Sequence, residues 1–361
     1  MICMGGVHGN EPAGALALQN VVQTLHRTAP PMQGKFLALA GNLAALQQNR
    51  RYIDRDLNRM WAPDRVRTIT TQPLPSTETA EDLEQKELLA LITAATQTPH
   101  QGVIFLDLHT TSADGAPFAL ISDTLTNRRL AQALGTPLIL GLEENVDGTV
   151  LNYINELGYA AIGFEAGQHQ SPQSRARHEA AVWITLVEAG CLAPQDVPNL
   201  AQQQEILRQA SRQLPPVFEV RYRHAITLED AFVMNPGFAN FAPVEKRQAI
   251  AEDHHGAVRT RERGFLFMPL YQPLGEDGFF LVRAINPFWL QVSTWLRKLR
   301  ADTLLHWLPG VHYLEGDKNS LLINTKVARW FVIEICHLLG FRKHAQRGEQ
   351  LLISRRKQTP E

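Results

Sequence analysis

ICMGGVHGNEP, residues 2–12, is the stretch on which the reading of this chain turns. Residues 2–7 are a short apolar run of strand length, and the turn His8-Gly9-Asn10-Glu11 follows at once. Pro12 stands where a helix can begin, with Asn10 as the expected N-cap and the helix running to residue 25. A buried strand passing through a glycine-rich turn into a helix is the opening of an α/β unit. Nothing precedes this strand, although a strand of this kind wants neighbours on both sides. That predicts an upstream strand or an earlier start.

Outward from it the same alternation continues to about residue 210. Apolar runs at 35–40, 103–108, 137–140 and 160–164 read as strands, and 78–96, 150–157 and 175–189 read as helices. Residues 42–65 read as polar and irregular. After Pro215-Pro216 the period becomes two at 218–223, and short strand-like pieces separated by glycines recur to residue 282. From residue 286 the composition shifts again, to 12 Lys and Arg against 6 Asp and Glu and with Trp289, Trp295, Trp307 and Trp330. The expected division is an α/β domain over 1–212, a small β domain over 213–285 and a basic, tryptophan-bearing extension over 286–361. The extension reads as a packed, helical tail, with a partner surface or a homo-oligomer contact as the alternative use. The apolar segment 328–341 is too short to span a bilayer and reads as a packed helix.

Composition excludes several classes. A chain of 361 residues with 44% hydrophobic and 20% charged residues is a folded, multi-part globular protein. A formal net charge of -1 offers no general attraction to nucleic acid or to acidic membranes. Cys3, Cys191 and Cys336 are far apart and form no CxxC, so neither a disulfide framework nor a thiolate zinc site is indicated. With no targeting segment in view, the expected compartment is the cytoplasm.

His8 and Glu11 form an HxxE pair, which suits a borderline cation such as zinc. The pair alone is weak, because 13 histidines and 22 glutamates make about one HxxE expected by chance. His312 and Glu315 supply a second copy. Only the first has a preceding strand and flanking glycines that permit close approach. Its third ligand is expected at His109, just past the strand 103–108; taken alone, that histidine could equally be satisfied by backbone. Asp107 lies two residues earlier, on the same strand face, and can accept the other imidazole N–H. Glu165 closes the strand 160–164. In an open sheet ligands bind beyond the carboxyl ends of the strands, which brings His8, His109 and Glu165 to one edge, where a glutamate can move a proton. The loop RRYIDRDLNR, residues 50–59, mixes both charges, and its arginine forks are natural receptors for carboxylates.

GGVHGNE (5–11), RYIDRDLNR (51–59), FLDLHTT (105–111) and GFEAG (163–167) together resemble the signature blocks of the succinylglutamate desuccinylase/aspartoacylase family, within the zinc carboxypeptidase-like fold. The resemblance carries motif support over roughly residues 1–190. It implies a mixed, largely parallel sheet flanked by helices, a smaller all-β C-terminal domain closing the site, and one zinc ion per chain. It further implies that His8, Glu11 and His109 hold the metal and that Glu165 is the general base. Arg51 would polarise the scissile carbonyl, Asn58 and Arg59 would grip a substrate carboxylate, and Asp56 would orient the arginine loop. The implied activity is hydrolysis of the amide bond of a small N-acyl amino acid. The alternatives are a carboxypeptidase-type peptidase sharing the metal site and, from another class, a non-catalytic zinc-containing binding protein. Two features depart from the family: no arginine occurs in 146–164, where Asn155 occupies the relevant region, and the family's C-terminal tyrosine has only Tyr271 as a counterpart.

Overall fold

The structure, a computed structural model, describes residues 1–71, 78–97, 102–314, 317–324, 326–327 and 332–357, without the side chains of 318, 332–334 and 343–347. Strand β1 (Ile2–Gly5) is buried along its whole length. Ile2 and Met4 join one apolar cluster and Cys3 the other, as the alternation of a strand covered on both faces requires. It pairs in parallel with β2 (Leu37–Ala40) on one side and β3 (Ile104–Thr111) on the other, so it finds both neighbours within the described chain. The helix α1 (Pro12–Thr28) connects β1 to β2. Its cap position is Glu11, not Asn10, and the Glu11 side chain makes no cap hydrogen bond because it is engaged elsewhere.

The segment read as irregular holds α2 (Leu43–Gln48), a single 3-10 turn at Leu57–Arg59 and α3 (Pro63–Thr71). The next elements are α4 (Ala80–Gln97), β4 (Phe118–Ile121), α5 (Leu125–Ala133), β5 (Leu138–Leu140), α6 (Val150–Glu156), β6 (Ala160–Gln168), α7 (Pro172–Glu188) and α8 (Leu200–Ser211). Then come β7 (Val217–Ala225), β8 (Val233–Met234), β9 (Pro243–Val244), β10 (Ala249–Asp253), β11 (Gly256–Arg259), β12 (Gly264–Phe267) and β13 (Asp277–Ala284).

Ten strands form one sheet in the order β2-β1-β3-β6-β4-β5-β7-β13-β12-β9. The run β2-β1-β3-β6 is parallel, β4 is antiparallel to β6, and β4-β5-β7 is parallel again. The fold is therefore the expected α/β type with a mixed, largely parallel sheet. Beyond β7 the pairing is antiparallel, so the strands of 213–285 prolong the same sheet, while β8, β10 and β11 form a small antiparallel sheet of their own.

The tail corrects one expectation. Besides α9 (Phe288–Lys298) and α10 (Val332–Leu338), it carries β14 (Val311–Leu314), β15 (Asp317–Asn324), β16 (Phe341–Arg347) and β17 (Gln350–Arg355) in an antiparallel sheet. Leu321, Ile323, Leu351 and Ile353 alternate into its core, a period of two too short to stand out beside the apolar run at 328–341. Of that run, residues 332–338 are helical and Phe341 already opens a strand, while 328–331 lie outside the described residues. The tail docks through its basic residues: Arg297 reaches Asp123, and Arg356 reaches Glu143 and Glu144. Its tryptophans stay largely in solvent, with Trp289, Trp295 and Trp307 at 51%, 63% and 76% exposure, so their burial is not what holds it. Trp330 lies outside the described residues. No helix among the described residues is long and apolar enough to cross a membrane.

Candidate active site

Sheet register assembles the site. Gly5 is level with Leu108, and His109 is level with Glu165, so three parallel strands deliver the HGNE turn, His109 and Glu165 to one edge. Residues 107 and 109 share one face of β3, and 163 and 165 share the matching face of β6. The turn itself depends on Gly9, where an added Cβ would fall 2.0 Å from the backbone carbon of Ala45 in α2.

His8, Glu11 and His109 are all buried, and their ligand atoms lie within 4.8 Å of one another. Glu11 sits between the imidazoles: Oε1 is 2.8 Å from His8 Nδ1, and Oε2 is 3.2 Å from His109 Nδ1. Oε2 also accepts from the Thr110 backbone N–H at 2.9 Å. Burial works to raise the Glu11 carboxyl, and the flanking histidines overcome it and hold it well below the usual carboxylate range. Burial likewise works against a charge on His109, and Asp107 and Glu11 outweigh it, raising that imidazole well above its ordinary value. Two imidazoles around a carboxylate that draws positive charge to itself are a donor set fit for zinc.

Each ligand has an outer partner. Asp56 Oδ1 lies 3.0 Å from His8 Nε2, and Asp107 Oδ2 lies 3.0 Å from His109 Nε2. Both histidines would then offer Nδ1 to a metal, with Asp56 hydrogen-bonded to the far nitrogen of His8 and Asp107 within ion-pair distance of that of His109. Glu165 is buried, and its Oε2 has no hydrogen-bond partner among the described residues. Burial pushes its carboxyl up to about 8, with Glu11 and Asp107 adding and His109 and Arg51 opposing.

The arginine loop is organised by Asp56 and by a residue that sequence reasoning missed. Asp56 accepts from Arg51 Nη2 at 2.9 Å and from the Asn58 backbone N–H at 2.9 Å. Arg51 Nη1 lies 3.7 Å from Glu11 Oε1, which brings its guanidinium beside the ligand cluster. Glu81, fully buried on α4, accepts from the backbone N–H groups of Ile53, Asp54 and Arg55 at 2.7, 3.0 and 3.1 Å. In the sequence it is one polar residue of an amphipathic helix, with no signal to set it apart. Asn58 lines the cavity while its Oδ1 accepts from Val150 N at 3.0 Å. Arg59 also lines it, with its Nε 3.3 Å from Glu276 and its Nη2 3.2 Å from Asp277.

The cavity of about 150 Å³ is completed by residues 268–277, between β12 and β13. From here Gln272 reaches His169 at 3.2 Å, and His169 reaches Thr110 Oγ1 at 2.7 Å. Neither was foreseen; the one available signal is that His169 follows Glu165 by four positions. Tyr271 points elsewhere, donating to the Asn235 carbonyl and accepting from the Phe238 N–H. Asn155 is buried against Asn127 and does not line the cavity. His312 is exposed on β14, among the described residues that form no metal-holding group, and Glu315 lies outside the described residues.

The description "Succinylglutamate desuccinylase/Aspartoacylase catalytic domain" matches residues 1–187. The chain belongs to that family. It is 32% identical over 111 residues to the succinylglutamate desuccinylase of Yersinia pestis, covering 30% of this chain and 31% of that one. Against the enzyme of Erwinia tasmaniensis the identity is 39% over 61 residues, 17% of this chain and 18% of that one. The matches thus span under a third of those relatives. Among solved structures, the succinylglutamate desuccinylase/aspartoacylase of Rhodobacter sphaeroides has a TM-score of 0.57 at 17% identity, covering 79% of this chain and 84% of that one. Murine aminoacylase 3 has a TM-score of 0.55 at 18% identity, covering 79% and 94%. These likenesses are of fold. Desuccinylases and aminoacylases are amide hydrolases, and the buried His8, Glu11 and His109 are consistent with the metal site of this zinc family.

Proposed function

We propose that the chain is a zinc-dependent deacylase that cleaves the amide bond of a small N-acyl amino acid. One observation carries the reading: an intact His8–Glu11–His109 donor set faces a buried glutamate, Glu165, across adjacent parallel strands in one small cavity. Zinc held there would supply Lewis-acid activation of a water and of the scissile carbonyl. Glu165, with a free carboxylate oxygen and a raised affinity for protons, takes the proton of the attacking water and returns it to the departing amine. Arg51, fixed by Asp56, donates to the oxygen that becomes negative as the carbonyl carbon turns tetrahedral. Asn58 and Arg59 hold the substrate carboxylate, which reaches Arg59 by taking the place of the solvent-facing Glu276.

The decisive experiment compares hydrolysis of N-acyl amino acids, of the same compounds with the carboxylate amidated, and of a ten-residue peptide from its C-terminus. The deacylase reading expects turnover of the first group only, and Arg59→Lys should weaken it about ten- to a hundredfold, because lysine keeps the charge but not the fork. Efficient trimming of the peptide with indifference to the small substrates would replace it with the carboxypeptidase reading. Absence of any hydrolysis by the zinc-loaded protein would leave the binding protein.

A further inference from the structure

Part of the cavity wall is apolar. It is built by Leu120, Leu142, Val146, Leu151, Met268 and Phe280, contributed by β4, the turn after β5, α6 and the 268–280 segment. Leu120 lies opposite Gly163 across the β4–β6 pairing, and Leu120 and Leu151 pack over that glycine, two residues before Glu165 on the same face. This apolar part of the wall stands beside the proposed base, and Glu143, Thr149 and Asn152 line the cavity with it.

Charge sharpens the point. The guanidiniums among the described residues that line the cavity are those of Arg51 and Arg59. Arg51 gives Nη2 to Asp56, lies beside Glu11 and is the donor proposed for the developing oxyanion, and Arg59 faces Glu276 and Asp277. Arg356 lies behind the wall, its donors taken by Glu143, Glu144 and the Phe341 carbonyl. Residues 146–164 contain no arginine or lysine. With one substrate carboxylate at Arg59 and Arg51 turned to the oxyanion, no further arginine or lysine among the described lining residues is left for a second carboxylate, and Asp107, Glu143 and Glu165 line the same space. A carboxylate placed against that wall loses hydration and gains no cationic partner.

We infer that this chain takes substrates whose side group is uncharged and apolar, branched aliphatic or aromatic in size, and rejects those with a second carboxylate. The inference rests on the deacylase reading and narrows it. The apolar group can belong to the amino acid or to the acyl part, and the two sources are separable by experiment.

The test measures kcat/KM of the zinc-loaded protein for N-acetyl-leucine and N-acetyl-phenylalanine (apolar amino side), hexanoylglycine (apolar acyl side), and N-acetylaspartate and N-succinylglutamate. The same compounds are titrated calorimetrically into the Glu165→Gln variant, which reads binding without turnover. One apolar arm should exceed both polycarboxylates by about a hundredfold in each assay, and the better apolar arm identifies which side enters the chamber. Leu142→Asn should narrow that ratio by about tenfold or more, within the range that apolar pocket contacts command. Its melting temperature separates loss of the chamber from loss of the fold, and the wild-type ratio decides the matter without it. Equal or better use of the polycarboxylates overturns the inference even if the deacylase reading stands. Preferential binding of an apolar arm with no turnover by the wild type would keep the chamber and remove the deacylase reading.

Discussion

Arg297 donates to Asp123 twice, from Nη1 to the backbone carbonyl and from Nη2 to the carboxylate, each at 2.7 Å. The same carboxylate takes Arg128 Nη2 at 2.7 Å, and both guanidiniums continue into the tail, Arg128 to Ser293 and Arg297 to the Leu338 carbonyl. One buried aspartate thus joins α5, α9 and α10.

That junction makes acid stability predictable. Burial works to raise the Asp123 carboxyl, and Arg297 and Arg128 overcome it and hold it well below the usual range. A carboxyl depressed in the folded state contributes stability that is fully present above its unfolded pKa of about 3.9 and is lost as pH falls towards the folded value. Asp123→Asn should cost about 3–5 kcal/mol at pH 7, since it leaves two buried guanidiniums uncompensated. Urea unfolding of both proteins from pH 7 down to about pH 2 should show that gap narrowing below about pH 4. A gap that does not change with pH would assign the loss to packing.

Metal content should follow the first HxxE pair. His8→Ala and His109→Ala should lose the zinc, about one ion per chain, that His312→Ala retains, because His312 is exposed and belongs to no cluster of ligands among the described residues. Glu165→Gln should keep the metal while turnover falls roughly a hundredfold or more. Metal analysis of the purified variants checks the set, and zinc missing from the Glu165 variant would make that residue a ligand.

Asp56 joins His8, Arg51 and the Asn58 backbone at 3.0, 2.9 and 2.9 Å. Asp56→Asn preserves its shape but removes the charge facing Arg51 and His8. Zinc affinity should drop about ten- to a hundredfold, the usual cost of losing an outer-shell carboxylate. Competition with a chelator of known affinity measures this. Unchanged affinity would confine Asp56 to loop geometry.

Glu81→Gln tests the arginine loop from outside the cavity. Three backbone N–H groups and the Asn42 amide converge on this carboxylate, and an amide in its place turns a donor towards donors. The variant should lose about 1–3 kcal/mol of stability. Its kcat should fall through displacement of Arg51 while zinc content stays near one. Zinc titration beside kinetics separates this from general unfolding; full activity would show that the loop holds its shape without Glu81.

What the sequence determined by itself was local: the strand–turn–helix at residues 2–25, the HxxE pair within it, the apolar strands leading to His109 and Glu165, and the charged loop carrying Arg51, Asp56, Asn58 and Arg59. These were legible because hydrophobic period and short spacing act within one element. Tertiary structure decided the rest. Register across β1, β3 and β6 brought His109 level with Glu165, and an antiparallel β4 inserted beside β6 placed Leu120 in the cavity wall. Glu81 became the template of a loop 26 to 28 positions away, and a basic tail docked on Asp123, Glu143 and Glu144 with Trp289, Trp295 and Trp307 left in solvent. None of these pairings has a period or a spacing. Each is a contact between residues far apart in the chain, chosen by which buried polar groups could satisfy one another once the sheet had formed.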